Sequence, residues 1–375
     1  MNGIYIHVPF CRKACRYCDF YFTVSMKYVD RYVKGVCREM DLRKEYLGGD
    51  PVNTIYFGGG TPSVLDLEQL EEIMNRVYSI FRVDEQAEIT LEANPDDLSP
   101  SFLAGLKRLG FNRLSVGIQS FREEHLKLMN RSHSAEQAVT CLRDAREAGF
   151  ENLNLDLIYG IPGLTLSQWE ENLGYVMERK IPHLSAYHLT FEPGTVFDHW
   201  RKKGRINPLP EEESVAQYTL LCRMAHSGGL EHYEISNFAR PGLRSGHNQI
   251  YWEGGSYLGL GPAAHSFDQR SRQWNVASLK KYLEGLDQGF GYYDHEELGS
   301  HDRFHDYLIT SLRLARGIDT QKVRREFGEP IYRHLMIQAT RFIESGSLRR
   351  EKGFLKINEE SWFISDQVIA SLMLD

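Results

Sequence analysis

The sequence contains no long apolar run and no export signal at its start. Hydrophobic residues make up 42% of its 375 residues, but no stretch of them approaches the ~18 that a membrane-spanning helix needs. The opening residues, MNGIYIHVPF, lack the basic segment, the long apolar segment and the small-residue cleavage site of a signal peptide. The first absence excludes a membrane-spanning helix, and together they lead us to expect a cytoplasmic protein.

Positive charge is scarce relative to negative charge. The 44 Lys and Arg residues and 51 Asp and Glu residues give a formal net charge of −7. Because binding to a phosphate backbone needs a concentrated positive surface, this balance disfavours nucleic acid as the main partner. The sequence also has no internal repeat and no low-complexity tract, which excludes repeat architectures.

The chain has six cysteines, and the expected reducing compartment disfavours a disulfide framework. Cys37, Cys141 and Cys222 stand alone in helix-like segments. Free cysteine behaves as a small hydrophobe and is among the most buried residue types. We therefore expect these three to be buried parts of the core.

The other three cysteines form a cluster that lacks a fourth member. Cys11, Cys15 and Cys18 read C-x3-C-x2-C, and thiolates at such spacing ligate soft metals. A structural zinc site needs four ligands, and His7 is the one nearby candidate for the fourth. The alternative is a [4Fe–4S] cluster, which four cysteines normally hold, so that three leave one iron open.

Short β-rich segments alternate with amphipathic helical segments such as 67–81, 99–110 and 134–150. Alternation of this kind predicts a parallel sheet with helices outside it. No G-x-G-x-x-G follows the first strand, which disfavours a dinucleotide-binding sheet and favours a partial or full (β/α) barrel. The predicted strands are 3–8, 53–59, 87–93, 112–119, 152–160 and 183–190.

Polar residues and glycines stand at or just after the carboxyl ends of these strands, and the fifth strand carries Asp156. In a barrel those ends share one rim, where catalytic and binding residues gather. The sequence therefore predicts a single site at this rim. Its candidate members are Gly58, Gly59, Gly60, Thr61, Glu92, Asn94, Gln119 and Asp156.

We divide the chain into three parts. Residues 1–230 form the barrel, residues 231–298 form a connecting segment with little regular periodicity, and residues 299–375 form a small domain. The last part reads as helices 302–315, 320–326 and 330–345, then a hairpin that turns near Gly353, then a closing helix. This order predicts a mostly helical, winged-helix-like module.

The C-x3-C-x2-C motif with Tyr17 before its last cysteine resembles the signature of the radical S-adenosylmethionine (SAM) superfamily. That resemblance implies a partial (β/α)6 barrel and a [4Fe–4S] cluster on Cys11, Cys15 and Cys18. It also implies that the amino and carboxylate groups of SAM chelate the open iron. The whole chain resembles one branch, that of the oxygen-independent coproporphyrinogen III oxidase and its haem-chaperone relatives. Residues that match the branch's SAM site are Tyr5, Tyr17, Gly59, Gly60, Thr61, Glu92, Gln119, Arg131 and Asp156.

The chemistry of these residues agrees with such roles. Glycines let backbone N–H groups approach an anionic group, carboxylates such as Glu92 and Asp156 bind an ammonium group or ribose hydroxyls, and Arg131 pairs with a carboxylate. Each residue also has a plainer explanation. The segment GGGTP is a common tight turn, Glu92, Gln119 and Asp156 are ordinary rim residues, and Arg131 suits a helix C-terminus.

Two features distinguish the oxidase from the chaperones of that branch. The oxidase resembles this chain but carries a further cysteine where Phe20 stands, and it has an N-terminal extension before its cysteines. Both differences favour a chaperone. The segment His247–Trp252, H-N-x-x-Y-W, also resembles a motif associated with haem in those chaperones. A histidine suits a haem ligand, and Tyr251 and Trp252 offer flat surfaces to a porphyrin.

The same motif has a structural alternative, in which Asn248 braces a loop while Tyr251 and Trp252 pack between the barrel and the C-terminal module. The chaperone function implies haem, a haem-acceptor protein of respiratory type, an electron donor for the cluster, and membrane association only through the acceptor. The alternatives are the oxidase and a nucleic-acid-modifying enzyme. The C-terminal helices interleave acidic and basic residues, which disfavours the latter.

Overall fold

The structure, a computed structural model, describes residues 1–374. Six parallel strands in chain order form the middle of its main sheet. They are β1 (Asn2–Val8), β2 (Val52–Gly59), β3 (Val83–Ala93), β4 (Arg113–Gln119), β5 (Asn152–Tyr159) and β6 (His183–His188). All six predicted strands are therefore present, and the α/β class is confirmed.

Helices follow these strands as the sequence pattern predicts. The side chains of Ser99 and Ser134 accept hydrogen bonds from backbone N–H groups in the first turns of the helices that begin at Pro100 and Ala135, and so cap both helices. The helices are α1 (Val29–Leu42), α2 (Leu67–Ile80), α3 (Pro100–Arg108), α4 (Glu123–Met129), α5 (Ala135–Glu147), α6 (Leu166–Glu178), α7 (Val196–Lys202) and α8 (Glu211–Ser227).

The segment 231–298 extends the same sheet at both edges. Its helices are α9 (Gly246–Glu253) and α10 (Leu279–Gln288), and its strands are β7 (Glu231–Glu234), β8 (Asn237–Ala239), β9 (Ser256–Leu260), β10 (His265–Phe267), β11 (Ser271–Asn275) and β12 (Tyr293–Glu297). The strand order is β12-β11-β10-β9-β1-β2-β3-β4-β5-β6-β8-β7. Within residues 1–374 this sheet stays open between β7 and β12, so the barrel is partial.

We expected little regular structure in this connecting segment, but it supplies six strands. The difference arises because these strands are three to five residues long, which is too short for an alternating pattern to stand out. β9 pairs in parallel with β1, and β8 pairs antiparallel with β6. The division of the chain at residues 230 and 298 stays a prediction.

The C-terminal part is a helical unit with a small antiparallel sheet, as expected for a winged-helix-like module. The helical run α12 breaks at Gly328, whose φ of 89° is not helical, so it comprises two helices as predicted. The elements are α11 (Ser300–Leu312), β13 (Ile318–Asp319), α12 (Thr320–Glu344), β14 (Leu348–Glu351), β15 (Phe354–Ile357) and α13 (Ser365–Ala370), and the strand order is β13-β15-β14.

The hydrophobic core fills the space between the main sheet and its helices. Cys141 and Cys222 are buried as expected, whereas Cys37 is half-buried at the surface of α1. Within residues 1–374, none of the helices combines the length and the apolar character that crossing a bilayer requires.

Candidate functional site

A cavity of about 440 Å³ opens at the carboxyl ends of β1 to β5. It lies where the rim argument places a site, because the parallel strands all end at the same edge. Every cluster cysteine and every predicted SAM residue lines it, namely Cys11, Cys15, Cys18, Tyr5, Tyr17, Gly59, Gly60, Thr61, Glu92, Gln119, Arg131 and Asp156. The structure thus brings these twelve residues together, although their cofactor roles remain predictions.

The cysteine loop follows β1 directly and is held at both ends by backbone hydrogen bonds. Cys11 N donates to Thr23 O at 3.0 Å, which closes the loop on itself, and Arg16 N donates to Met129 O at the end of α4. Asn130, in the left-handed conformation that ends α4, donates its side-chain amide to Ala14 O at 2.7 Å. The loop is therefore ordered by contacts of the protein itself.

The Sγ atoms of two of the three clustered cysteines accept hydrogen bonds from side chains. Thr61 Oγ1 donates to Cys11 Sγ at 3.4 Å, and Arg131 Nη1 donates to Cys15 Sγ at 3.3 Å. Burial raises the pKa of Cys11 and raises that of Cys18 to about 11. Three thiols at one cavity, two of them with donors that favour the thiolate form, fit a three-cysteine [4Fe–4S] site.

His7 does not fit the alternative of a zinc site. Its Nε2 lies 3.0 Å from Tyr21 O, and its Nδ1 lies 3.2 Å from the hydroxyl of Tyr5. Burial lowers the pKa of His7, and both of its ring nitrogens have partners within the protein. The chemistry of the donor set therefore favours the cluster over zinc.

The glycine-rich segment packs tightly against the cysteine loop. Gly59 N donates to Glu92 Oε2 at 3.2 Å, Gly60 N to Val8 O and Thr61 N to Phe10 O, both at 2.8 Å. Each of these N–H groups thus has an acceptor within the protein, which for Gly59 is the carboxylate of Glu92. The expected approach of these groups to an anionic part of a ligand stays a prediction.

Close packing requires a residue without a side chain at Gly60. A Cβ on Gly60 would lie 2.8 Å from the backbone oxygens of Val8 and Phe10 and 3.1 Å from Cys11 Sγ. Such contacts are closer than van der Waals packing allows. Gly60 therefore lets the end of β2 approach the cysteine loop closely.

Glu92 and Asp156 are the acidic groups of the cavity. Glu92 accepts hydrogen bonds from Tyr56 Oη at 2.8 Å and from Gly59 N. Burial, and then the neighbouring charge of Asp156, raise the pKa of Glu92 to about 7. Burial also raises the pKa of Asp156, which accepts from Asn154 Nδ2 at 2.7 Å. Two held carboxylates with raised pKa suit a cationic or hydroxyl-rich ligand.

Gln119 reaches the cavity through an irregularity at the end of β4. Its φ is 64°, which is rare for a residue other than glycine, and the pairing with β5 shifts register between Gly117 and Gln119. A bulge of this kind re-aims a side chain at the end of a strand. Backbone strain at a binding rim is common where the surrounding structure enforces it.

Sequence reasoning missed several residues that support the site. Tyr56 and Asn154 hold the two carboxylates. Asn94, a rim residue that the sequence analysis did name, accepts a hydrogen bond at its Oδ1 from Arg131 Nη2 at 2.6 Å. Arg113 is buried near them, and its Nε has no hydrogen-bond partner within residues 1–374. Alternation along β2 and β5 is the signal that could have found Tyr56 and Asn154, since both stand on the same face as a site residue.

The H-N-x-x-Y-W segment forms helix α9, and its histidine lies inside the barrel. The backbone N–H groups of Gly246 and His247 donate to Glu88 on β3, which fixes the start of the helix. His247 Nδ1 lies 2.7 Å from Thr54 Oγ1, and its Nε2 lies 2.8 Å from Tyr251 Oη. Burial lowers the pKa of His247 to about 3. Both ring nitrogens are thus engaged, so neither is open to an iron in this structure.

Trp252 points to a different place. It lines a cavity of about 730 Å³ between the barrel and the C-terminal unit, with Tyr251 at the boundary. The Trp252 indole N–H is buried without a partner within residues 1–374. His247 therefore lies in the barrel interior, whereas Trp252 lines the second cavity. This position of Trp252 agrees with the structural alternative, in which Tyr251 and Trp252 pack between the barrel and the C-terminal module.

Comparison with known proteins identifies the family. The sequence model of the radical SAM superfamily matches residues 5–176. The heme chaperone HemW of Bacillus subtilis is 33% identical to this chain over 377 residues, covering 100% of this chain and 99% of that protein. The heme chaperone HemW of Escherichia coli K12 is 36% identical over 266 residues, covering 70% of this chain and 69% of that protein.

A solved structure shows the same fold. The E. coli coproporphyrinogen III oxidase HemN, a radical SAM enzyme, superposes with a TM-score of 0.87 at 23% identity and covers 99% of this chain and 90% of that one. At that identity the likeness concerns the fold alone. From the full-length match in sequence, the chain belongs to the radical SAM superfamily and, within it, to the HemW family.

Proposed function

We propose that this protein is a haem chaperone that holds a [4Fe–4S] cluster and SAM at the barrel mouth, binds haem and passes it to an acceptor protein. The observation that carries the proposal is the match over the full length of the Bacillus subtilis protein, whose name is heme chaperone HemW. Membership of the radical SAM superfamily implies the cluster and SAM. The acceptor and the electron donor are further proteins.

Cys11, Cys15 and Cys18 would hold the cluster. Thr61 and Arg131 would stabilise the thiolates of Cys11 and Cys15 through the hydrogen bonds described above. When bound, the cluster supplies single electrons and an open iron for the amino and carboxylate groups of SAM. Glu92 and Asp156, once ionised, would bind ammonium or ribose hydroxyl groups of SAM.

Phe20 supports the chaperone over the oxidase. It stands where the oxidase of this branch has a further cysteine, and its side chain is 65% exposed on the wall of the barrel-mouth cavity. A phenyl group offers neither a thiolate nor a proton. The chain therefore lacks one reactive group that the oxidase carries at the rim.

Haem would bind in the 730 Å³ cavity, whose volume lies within the ~300–1,000 Å³ typical of ligand sites. Its walls carry aromatic side chains that suit a porphyrin, among them Trp252, Tyr307 and Phe327. Arg303 and Arg316, which also line it, form no ion pair with any side chain of residues 1–374. Two free guanidinium groups match the two propionates of haem.

An anaerobic haem titration tests this function. Cluster-loaded protein is titrated with haem while the Soret band is recorded, and the haem-loaded protein is then mixed with a haem-free haemoprotein. We expect saturable binding and a transfer rate that rises with acceptor concentration. Haem that fails to saturate the protein, or that leaves at a rate independent of the acceptor, would argue against a chaperone.

A further inference from the structure

A second group of ligand-type side chains lies outside the barrel-mouth cavity, where the barrel meets the C-terminal unit. Cys222 comes from α8, His232 from β7 and Glu359 from the 3₁₀ turn Glu359–Ile364 that follows β15. One ligand atom of each lies within 4.8 Å of the others. Three elements distant in sequence therefore converge on one point.

The contacts meet at a single ring nitrogen. His232 Nδ1 lies 2.7 Å from Glu359 Oε1 and 3.9 Å from Cys222 Sγ. In a nucleophile–histidine–carboxylate relay, the nucleophile and the carboxylate occupy opposite nitrogens of the ring. Here both are at Nδ1, which is the arrangement of ligands around a shared ion.

A neutral His232 ring cannot donate a hydrogen bond to both of the oxygen atoms that it faces. Its Nε2 lies 3.4 Å from Ile235 O and its Nδ1 faces Glu359 Oε1, so both nitrogens face oxygen acceptors. A neutral imidazole carries one N–H, and burial lowers the pKa of His232 against the opposing effect of the carboxylate. A cation at Nδ1 satisfies both contacts, because the Nε2–H of a metal-bound histidine usually donates to a carbonyl or carboxylate.

A fourth ligand-type side chain, His226, lies beside the three whose ligand atoms are all within 4.8 Å of one another, and other contacts hold those three in place. His226 follows Cys222 by one turn on the same face of α8, and its Nε2 lies 3.3 Å from Glu359 Oε1. Tyr218 Oη donates to the backbone oxygen of Glu359 at 2.9 Å. The ring of Phe238 stacks on His232 with centroids 3.9 Å apart.

We propose that Cys222, His226, His232 and Glu359 bind one zinc ion, which holds the C-terminal unit against the barrel. Zinc accepts sulfur, nitrogen and carboxylate oxygen in a tetrahedron, at roughly 2.0–2.3 Å from each atom. The thiolate and imidazole ligands exclude calcium and magnesium, which take oxygen. The site is separate from the cluster and does not depend on haem.

Zinc binding to the cluster-loaded full-length protein tests the site, because the cluster then occupies the three cysteines of the barrel mouth. The protein is treated with chelator, desalted, titrated with Zn²⁺ by calorimetry and assayed for zinc and iron after gel filtration. A parallel titration with Co²⁺ reports thiolate ligation through its charge-transfer band. We expect one zinc per chain in addition to the cluster iron.

The variants are Cys222→Ser and Glu359→Gln, with Cys141→Ser, a buried cysteine of α5, as the control. Each of the first two should weaken zinc binding at least about tenfold and Cys222→Ser should remove the cobalt–thiolate band, whereas the control should bind as wild type. Glu359→Gln is the safer variant for folding, since its side chain is 35% exposed. No zinc in the wild type, or equal zinc in all four proteins, would overturn the proposal.

Discussion

Arg131 Nη1 donates a hydrogen bond to Cys15 Sγ across 3.3 Å, and so connects the loop after α4 to the cysteine loop after β1. The other terminal nitrogen of the same guanidinium donates to Asn94 Oδ1 and to Gly117 O. One side chain therefore joins the cysteine loop after β1 to the carboxyl ends of β3 and β4. The pairing of Arg131 with a carboxylate of a ligand, expected from the sequence, stays a prediction.

Replacement of Arg131 by glutamine should lower the reduction potential of the cluster. A hydrogen bond to a cysteine ligand of the cluster stabilises the reduced form, because that form is more negative. Loss of a bond worth ~1.4 kcal/mol lowers the potential of a one-electron couple by about 60 mV. A redox titration followed by electron paramagnetic resonance measures this shift. Arg143→Gln, on the exposed face of α5, is the control, and an unchanged potential in Arg131→Gln would refute the role of this contact.

The affinity for SAM should depend on pH through Glu92. Its pKa of about 7 lies above the ordinary value because of burial, so the carboxylate is lost as the pH falls from 8 to 6. We expect SAM to bind up to about tenfold more weakly at pH 6 than at pH 8, because only the ionised fraction of Glu92 offers a charge-assisted hydrogen bond. Equilibrium dialysis of the cluster-loaded protein measures this, and Glu92→Gln should bind weakly at both pH values.

The raised pKa of Glu92 also makes the stability of the ligand-free protein depend on pH, but in the opposite direction to SAM binding. Because Glu92 binds its proton more tightly in the folded than in the unfolded state, its contribution to stability falls as the pH rises from about 4.5 to about 7. Glu92→Gln should therefore be relatively more stable than wild type at pH 8 than at pH 5. Urea unfolding at the two pH values measures the difference, and a difference of the opposite sign would contradict the assignment.

Alanine at Gly60 should prevent the cysteine loop from packing. Its Cβ would clash with the oxygens of Val8 and Phe10, at a cost of about 1–3 kcal/mol. We expect reduced iron after reconstitution and a lower unfolding midpoint. Gly174→Ala is the matched control, because a Cβ there meets nothing within 4 Å on helix α6; equal iron content in both variants would show that Gly60 is not required.

The double variant Arg303→Ala/Arg316→Ala should weaken haem binding by about 100-fold, from two lost charge-assisted hydrogen bonds to propionates.

His247→Ala should leave the Soret maximum of bound haem unchanged, because both ring nitrogens of His247 form hydrogen bonds within the barrel. Absorption titrations of the two variants beside wild type measure both effects. A shifted Soret maximum in His247→Ala would instead identify His247 as the haem ligand.

The sequence was sufficient for the parallel core and for the position of the site. Strands β1 to β6 alternate with helices whose caps, Ser99 and Ser134, stand in the sequence, and parallel strands must end at a common edge. That edge gathers Glu92, Gln119 and Asp156 without further information. Local pattern determines these features, which is why they could be predicted.

Other features depend on contacts between distant parts of the chain. The pairing of β9 with β1 joins segments about 250 residues apart, and nothing in five residues of β9 specifies that partner. The left-handed backbone of Gln119 and the burial of His247 against Thr54 likewise follow from the assembled barrel. The sequence could name His247 as a candidate, but only the fold shows that its nitrogens are occupied.

The most direct measurement compares haem binding with porphyrinogen turnover in one anaerobic preparation. Cluster-loaded protein is titrated with haem, and a second portion is incubated with coproporphyrinogen III, SAM and a reductant before its porphyrins are separated and quantified. A haem chaperone should bind haem to saturation at one per chain and should form no decarboxylated product. Turnover of coproporphyrinogen III without stable haem binding would contradict the proposed function.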